Sequence, residues 1–169
     1  MTSTETPAAM KAPWSRVVDT APEFATRVEA LFRAFPNKTL ATLRKDGTPR
    51  LSAVEVWLTR EHAVLILMPQ SMKARDVRRD PRVAVLSGSS GASDSPVWPN
   101  ARLTGTAVPV TDPAQEAAIL ADAGVPTEMG ASGVYLLDLD EVTDTRFSTE
   151  AMETNVWKDG QLRSITATS

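Results

Sequence analysis

Between positions 38 and 87, four short runs rich in apolar residues are separated by polar segments. Before the fourth run, the spacing of apolar residues changes from that of a strand to that of a helix. These runs predict strands over Thr39–Leu43, Leu51–Leu58, Ala63–Met68 and Val83–Leu86. The third run is almost continuously apolar, as in a strand that is buried on both faces. Asp46-Gly47 between the first two runs is a strong signal for a hairpin turn. This stretch therefore predicts a small antiparallel sheet.

The change of period comes after the third strand and predicts a short helix. Ser71 is a suitable N-cap, Lys73 and Arg75 lie in the first turn, and Asp80-Pro81 ends the helix. From the residues alone, two interpretations stay open. The basic residues either form a solvated face, or they serve with the helix N-terminus as a phosphate site.

The flanking regions predict further short elements. An amphipathic helix is expected over Pro22–Phe35, where it would plug an open end of a barrel. After a long loop come a strand over Ala101–Val110 with a bulge or close approach at Gly105, and a helix from Asp112-Pro113 to about Ala123. The last predicted elements are a strand over Gly133–Leu139 that continues through Asp140–Phe147, and a hairpin around Asp159-Gly160.

Six or more antiparallel strands with only short helices predict a mainly β fold, a closed or nearly closed β-barrel. Regular alternation of strands and helices is missing, and so are the glycine-rich phosphate motifs of Rossmann and P-loop proteins. We expect a flexible N-terminal tail over residues 1–13 and a single domain over residues 14–169. Trp98, in the loop Ser87–Asn100, is either part of a pocket wall or a packing anchor.

Composition narrows the function classes. The 169 residues carry a net charge of −3, which argues against a nucleic-acid surface. There is no cysteine, and His62 is the single histidine, so cysteine-ligated and histidine-rich metal sites are excluded. No apolar run is long enough to span a membrane. We therefore expect a cytoplasmic protein that needs no metal.

The segments "ATLRKDGTPR" (41–50) and "SMKARDVRRDPRVAVL" (71–86), in this order and spacing, resemble the pyridoxamine 5'-phosphate oxidase-like FMN-binding split β-barrel family. Weaker similarity extends through "WPNARLTGTAVPVTDP" (98–113) and "NVWKDGQLRSI" (155–165). The family includes FMN flavoproteins and actinobacterial enzymes that use the deazaflavin F420. The resemblance implies a split barrel that works as a homodimer, with the cofactor in a groove between subunits.

The resemblance also implies which residues bind the cofactor. Ser71 and Lys73 match positions that hold the flavin phosphate, Arg75 lies in the same turn, and Arg50 matches a position that is commonly basic. The strand segment from Ser52 to Val56 matches the wall of the flavin ring. The candidate cofactor-binding residues are therefore Arg50, Ser52, Val54, Glu55, Val56, Ser71, Lys73 and Arg75. Packing is the competing interpretation of both valines.

Two departures from the family pattern bear on the substrate. Glu55 is acidic where the phosphate oxidase itself has a basic residue for its substrate phosphate, and Met72 replaces an arginine of the flavin phosphate motif. The oxidase's C-terminal arginine–histidine pair has no counterpart. True pyridoxamine-phosphate oxidase activity is therefore not expected. No catalytic acid or base is assigned, since Tyr135, Trp57 and Trp157 are better explained by packing.

The resulting hypothesis is an oxidoreductase that transfers hydride between a reduced flavin or deazaflavin and a small conjugated substrate. FMN is the first choice of cofactor and F420 the alternative, because Arg75, Arg78 and Arg79 would suit a longer anionic tail. A second hypothesis is a non-catalytic protein that binds or sequesters flavin, haem or another tetrapyrrole. A third is a dimeric structural module that has lost its ligand, for which Met72 and Glu55 are the main support.

Overall fold

The computed structural model describes residues 10–88, 99–126 and 133–168. The helices are α1 (Trp14–Thr20), α2 (Pro22–Arg33), α3 (Met72–Arg79) and α4 (Pro113–Asp122). The strands are β1 (Lys38–Leu43), β2 (Pro49–Leu58), β3 (Ala63–Leu67), β4 (Arg82–Leu86), β5 (Asn100–Pro109), β6 (Gly133–Phe147), β7 (Ala151–Lys158) and β8 (Gln161–Thr168). Among the described residues, no helix is long and apolar enough to cross a membrane.

Six antiparallel strands close into a barrel in the order β3-β2-β1-β4-β5-β6, and β3 also pairs with β6. The prediction of a mainly β split barrel is therefore confirmed. β6 is 15 residues long, so its first part can close the barrel on β3 and its second part can pair with β7. The β7–β8 hairpin extends the sheet beyond the barrel.

Each strand predicted from the alternation of apolar and polar residues corresponds to a strand of the structure. β3 is buried at every position, whereas β2 buries Val54 and Val56 on one face and leaves Ala53 exposed on the other. Gly105 lies at a register shift between β5 and β6, as predicted. A Cβ atom at Gly105 would lie 2.1 Å from the carbonyl oxygen of Asp138, so the two backbones can approach this closely only at a glycine.

Turn chemistry fixes the last hairpin. Asp159 and Gly160 both have positive φ, 53° and 81°, as the two central residues of a type I′ turn require. Lys158 and Gln161 pair on either side of the turn. The strand before this turn, β7, begins at Ala151.

Two helices close one end of the barrel. Phe24, Val28 and Phe32 of α2 are buried in the main core, which supports the predicted plug, although α2 ends two residues before the expected Phe35. The preceding helix α1 was not predicted, because seven residues are too short to show a clear period. Its Trp14 is nevertheless fully buried.

Part of the predicted N-terminal tail is packed. Ala12 is buried, its backbone N–H donates to Asp138 Oδ1 at 2.8 Å, and its carbonyl accepts from the N–H of Leu139. The packed chain therefore begins at least two residues before the expected boundary at residue 14. Residues 1–9 and Trp98 lie outside the described residues, so the expectations for them stay predictions.

Candidate functional site

The first half of β2 has an edge that no described strand covers. β1 pairs with β2 from Pro49 to Val54, but β3 pairs only with Glu55–Leu58. The Ala53 carbonyl faces the uncovered side, because it accepts a hydrogen bond from Lys73 Nζ at 2.5 Å. Backbone groups of residues two apart on an antiparallel strand face the same side, so those of Leu51 do too. We call Leu51–Ala53 the open edge.

The N-terminus of α3 approaches this edge. Ser71 Oγ accepts from the backbone N–H of Ala74 at 3.3 Å and donates to the Met68 carbonyl at 2.7 Å. The Ser71 side chain is therefore the predicted N-cap. The first N–H groups of a helix have no intrahelical acceptor. Those of Met72 and Lys73 are not taken by any described residue, so they can serve a ligand.

A buried carboxylate organises the arginines behind this helix end. Asp76 Oδ2 accepts from Arg50 Nε at 2.6 Å and from Thr42 Oγ1 at 3.0 Å, and Asp76 Oδ1 accepts from Arg79 Nη2 at 3.2 Å. Burial raises the pKa of Asp76, but the hydrogen bonds from Arg50, Arg79 and Thr42 together lower it by more. The resulting pKa is below the usual value for aspartate. Asp76 is therefore ionised and fixes Arg50 to α3.

Arg50 also lines a cleft of about 630 Å³, which we call the basic cleft. Its lining residues are Arg44, Lys45, Asp46, Arg50, Met72, Arg75, Asp76 and Arg79. Five of these side chains are basic and two are acidic, so the cleft has a surplus of three positive charges. Arginine guanidinium groups are well suited to phosphate oxygens, because they present several donors in a fixed plane.

The predicted phosphate-binding residues are divided between these two features. Arg50 and Arg75 line the basic cleft together, whereas Lys73 is held at the open edge and Ser71 caps the helix between them. All four belong to α3, its cap or the start of β2. The structure therefore groups them around one helix end without placing all of them in one cavity.

The predicted ring-lining residues lie on opposite faces of β2. Val54 and Val56 are buried in the main core, so in the described structure they can offer a ligand little more than their backbone. Ser52 is half-buried on the same face. Glu55 points to the other face and lines a second cavity, about 17 Å along the strand from Arg50 at roughly 3.3 Å per residue.

This second cavity, the distal pocket, has a volume of about 790 Å³. It lies where α2 and α4 end beside the second half of β2, and its wall includes Glu55, Trp57 and Lys38. Lys38 is only 6% exposed, and its Nζ donates to the carbonyls of Phe35 and Pro36. Burial lowers the pKa of Lys38, and the nearby Glu55 carboxylate partly offsets the shift.

Asp76 and Lys38 were not among the predicted site residues, and Ala53 was included only as part of the predicted ring wall from Ser52 to Val56. Asp76 had a sequence signal, because it is the single acidic residue within the basic helix and lies three residues before Arg79, at the spacing of an ion pair on one helix face. The basic residues around Asp76 dominate the sequence pattern, which therefore indicates a basic helix and not a buried carboxylate. The open edge had no such signal, since the length of β3 decides which part of β2 is covered.

His62 lies in the turn between β2 and β3. Its Nδ1 is buried and has no hydrogen-bond partner within the described chain, and burial lowers the pKa of the imidazole despite the carboxylates of Glu61 and Asp122. Within the same residues, no three His, Asp or Glu side chains are grouped closely enough to hold a metal ion.

Comparison with known proteins gives a family match. The sequence model of the family described as pyridoxamine 5'-phosphate oxidase matches residues 24–146. No curated protein matches the chain.

Solved structures with the same fold are numerous. A NimC/NimA family protein from Clostridium acetobutylicum has a TM-score of 0.60 at 13% identity, covering 89% of this chain and 97% of its own. A pyridoxamine 5'-phosphate oxidase-related, FMN-binding protein from Nostoc punctiforme has a TM-score of 0.58 at 14% identity, with coverage of 94% and 98%. A heme-binding protein from Mycobacterium smegmatis has a TM-score of 0.55 at 19% identity and covers 95% of this chain and 60% of its own. At these identities the likeness is one of fold.

Proposed function

The chain belongs to the pyridoxamine 5'-phosphate oxidase family, and from this membership and the site geometry we propose that it is a flavin- or deazaflavin-dependent oxidoreductase. FMN is the proposed cofactor, with F420 as the alternative. When bound, the cofactor supplies hydride transfer to or from a small conjugated substrate. The residues of this chain bind the cofactor, orient it and shield it from water.

The observation that carries the proposal is the open edge of β2 beside the N-terminus of α3. Lys73 reaches the Ala53 carbonyl at 2.5 Å, so a phosphate placed at the helix end meets an ammonium group and free backbone N–H groups. The backbone of Leu51 and Ala53 offers donors and acceptors for the polar edge of a flat ring. This arrangement fits a ligand with a phosphate tail and a flat heterocyclic ring.

Under this proposal, the two cofactors would use the basic cleft to different extents. FMN needs only the local donors at α3, namely Ser71, Lys73 and Arg50. The longer anionic tail of F420 would use Arg75 and Arg79 as well, both of which line the cleft. The two cofactors therefore differ in their dependence on the cleft arginines.

The exposed apolar groups around the site support the proposal of a homodimer. Leu51 is 71% exposed, Met68 69% and Met72 51%, although all three are large and apolar. They belong to the open edge, the segment after β3 and the first residue of α3. Exposed apolar groups concentrated around one site are typical of a surface that another chain covers. A second copy would cover them and close the groove over the cofactor.

The substrate is proposed to differ from that of the phosphate oxidase. Glu55 is half-buried and acidic in the wall of the distal pocket. A carboxylate there repels a phosphorylated substrate. We therefore propose a substrate without a phosphate group.

The test is a parallel titration of the purified protein with FMN and with F420, followed by fluorescence. Lys73→Ala should weaken binding by on the order of 1.5–3 kcal/mol, as expected for a charge-assisted phosphate contact. Lys158→Ala, which removes the same charge from an exposed position on β7, is the matched control. Equal affinities for both variants and the wild type would remove Lys73 from the site.

The same titration separates the alternative hypotheses. Failure of both cofactors to bind below about millimolar, near −4 kcal/mol, would exclude the flavoenzyme. Haem added to that protein would then test the sequestering alternative, for which His62→Ala is the informative variant. Light scattering with and without cofactor tests the dimer, and a monomer that binds cofactor at full affinity would contradict the shared groove.

A further inference from the structure

The distal pocket has the size of a small-molecule site and a wall with a definite charge pattern. Its volume of about 790 Å³ falls within the range usual for ligand pockets. It lies on the same strand as the open edge, further along β2. A substrate held there would lie on the strand that carries the proposed cofactor site, on the face to which Glu55 points.

Two helices direct their C-termini at this pocket. α2 ends at Arg33 and α4 at Asp122, and residues at both ends line the cavity. A helix C-terminus carries a partial negative charge and favours cations. Just after α2, the Lys38 ammonium binds the carbonyls of Phe35 and Pro36. The last turn of α4 contains no basic residue.

The carboxylates of the wall differ in how far they are neutralised. Glu29 accepts from Arg33 at 3.4 Å and from Trp14 Nε1 at 3.2 Å. Glu55 and Asp122 have no hydrogen bond or ion pair with any described residue, although Lys38 attracts Glu55 from a greater distance. Three carboxylates face two basic side chains in the pocket wall, so the pocket is net negative.

The remaining wall is apolar and includes three aromatic residues. Phe32, Phe35 and Trp57 line the cavity. Aromatic faces attract organic cations, and tryptophan does so most strongly. Aromatic side chains combined with two carboxylates that form no hydrogen bond or ion pair with the described residues favour a ligand that is both planar and positively charged.

We propose that the distal pocket binds a small planar organic cation, a protonated amine or amidine on a conjugated ring. Glu55 and Asp122 supply the opposite charge, the end of α4 adds to it, and Trp57 contacts the ring. The identification of this ligand as the substrate rests on the proposed oxidoreductase function, whereas binding of the cation does not.

Three probes of matched shape and different charge test the proposal by titration calorimetry: benzamidine as its cation, neutral benzamide and the benzoate anion. The wild type should bind benzamidine at least tenfold more tightly than benzamide and should bind benzoate no better than benzamide. Glu55→Gln and Asp122→Asn should each reduce the preference for benzamidine several-fold without changing benzamide affinity. Asp140→Asn, an exposed carboxylate on β6 outside the pocket, is the matched control.

Equal affinities for the three probes, a preference for benzoate, or no measurable binding of benzamidine would overturn the proposal. Asp122 is exposed on the surface, so Asp122→Asn gives a readout even where Glu55→Gln fails to fold. A flavin titration of the same samples separates this inference from the proposed function. Flavin binding without charge preference refutes only the cation pocket, whereas charge preference without flavin binding refutes only the oxidoreductase.

Discussion

Asp76→Asn is the substitution for which the structure gives the clearest expectation. The carboxylate is buried between Arg50, Thr42 and Arg79, and it accepts a hydrogen bond from each of them. Asparagine keeps the shape of the side chain but removes its charge. It also places an NH₂ group where one carboxylate oxygen had accepted a hydrogen bond. Arg50 then loses its counter-charge inside the fold. We expect both lower stability and weaker binding of a phosphate ligand, because Asp76 positions Arg50.

The magnitude follows from the exposure of the partners. Removing one member of a buried ion pair costs about 3–5 kcal/mol, because the remaining charge is left unpaired. The side chain of Arg50 is 21% exposed and that of Arg79 37%, so water can partly solvate both after the change. This places the cost near the lower limit, about 3 kcal/mol. For a chain of this size that corresponds to a decrease of roughly 6–12 °C in Tm, at about 2–4 °C per kcal/mol.

Equilibrium unfolding in urea measures the loss, and Asp80→Asn is the matched control. Asp80 bonds Arg82 at 2.6 Å from the surface end of the same helix, where the pair is open to solvent. Its replacement should leave the unfolding midpoint close to that of the wild type. A loss for Asp76→Asn no larger than for Asp80→Asn would refute the reasoning that burial makes the Asp76 pair important.

The dependence on pH gives an independent check. The pKa of Asp76 in the folded state is lowered, so its stabilising contribution is fully present above the ordinary aspartate pKa of 3.8 and is lost as the pH falls through the folded-state value. The stability difference between wild type and Asp76→Asn should therefore be constant from neutral pH down to about 3.8 and shrink below it. A difference that disappears well above that pH would mean that Asp76 is not held ionised by its arginines.

Three further substitutions test the fold itself by the same urea titration. Gly105→Ala places a Cβ atom 2.1 Å from the backbone oxygen of Asp138. Because the backbone must move, the free energy of unfolding should fall by about 1–3 kcal/mol or more. An unchanged midpoint would contradict the close approach. Trp157→Phe removes the 2.8 Å hydrogen bond to Thr20 Oγ1 and should cost about 1–3 kcal/mol, and Thr20→Val in the same background should then add little. Gly160→Ala, at a φ of 81°, should cost about 1–2 kcal/mol, and a smaller loss would argue against the positive φ.

The barrel could be predicted because its signals are local. The alternation in β2, the apolar β3 and the Asp-Gly turns each specify a strand or hairpin within ten residues. Gly105 was identifiable because a glycine inside an alternating strand indicates a bulge or close approach. Closure of β3 on β6 follows once six such strands are present.

The site was less predictable, because its features depend on distant residues. Sequence reasoning identified Arg50, Ser71 and Lys73, but it could not show that Arg50 binds Asp76 or that Lys73 reaches the Ala53 carbonyl. These contacts join residues 26 and 20 positions apart. The sequence likewise could not identify Lys38 as part of a pocket wall, because the burial of Lys38 depends on where α2 ends.

The arrangement of charge on β2 suggests how one strand can serve two ligands of opposite sign. Near its start lie the basic side chains of Arg50 and Lys73. The ion pair with Asp76 holds the Arg50 guanidinium at this end of the strand. At its end, Glu55 lies on the other face with two helix C-termini and a surplus of carboxylates. Arg50 lies about 17 Å along the strand from Glu55, farther than the Debye length of about 8 Å at physiological salt, whereas Lys73 contacts Ala53, only two residues or about 7 Å from Glu55. An anionic cofactor tail and a cationic ring could therefore be held on the same strand, with Arg50 screened from the pocket carboxylates and Lys73 close enough to interact with Glu55.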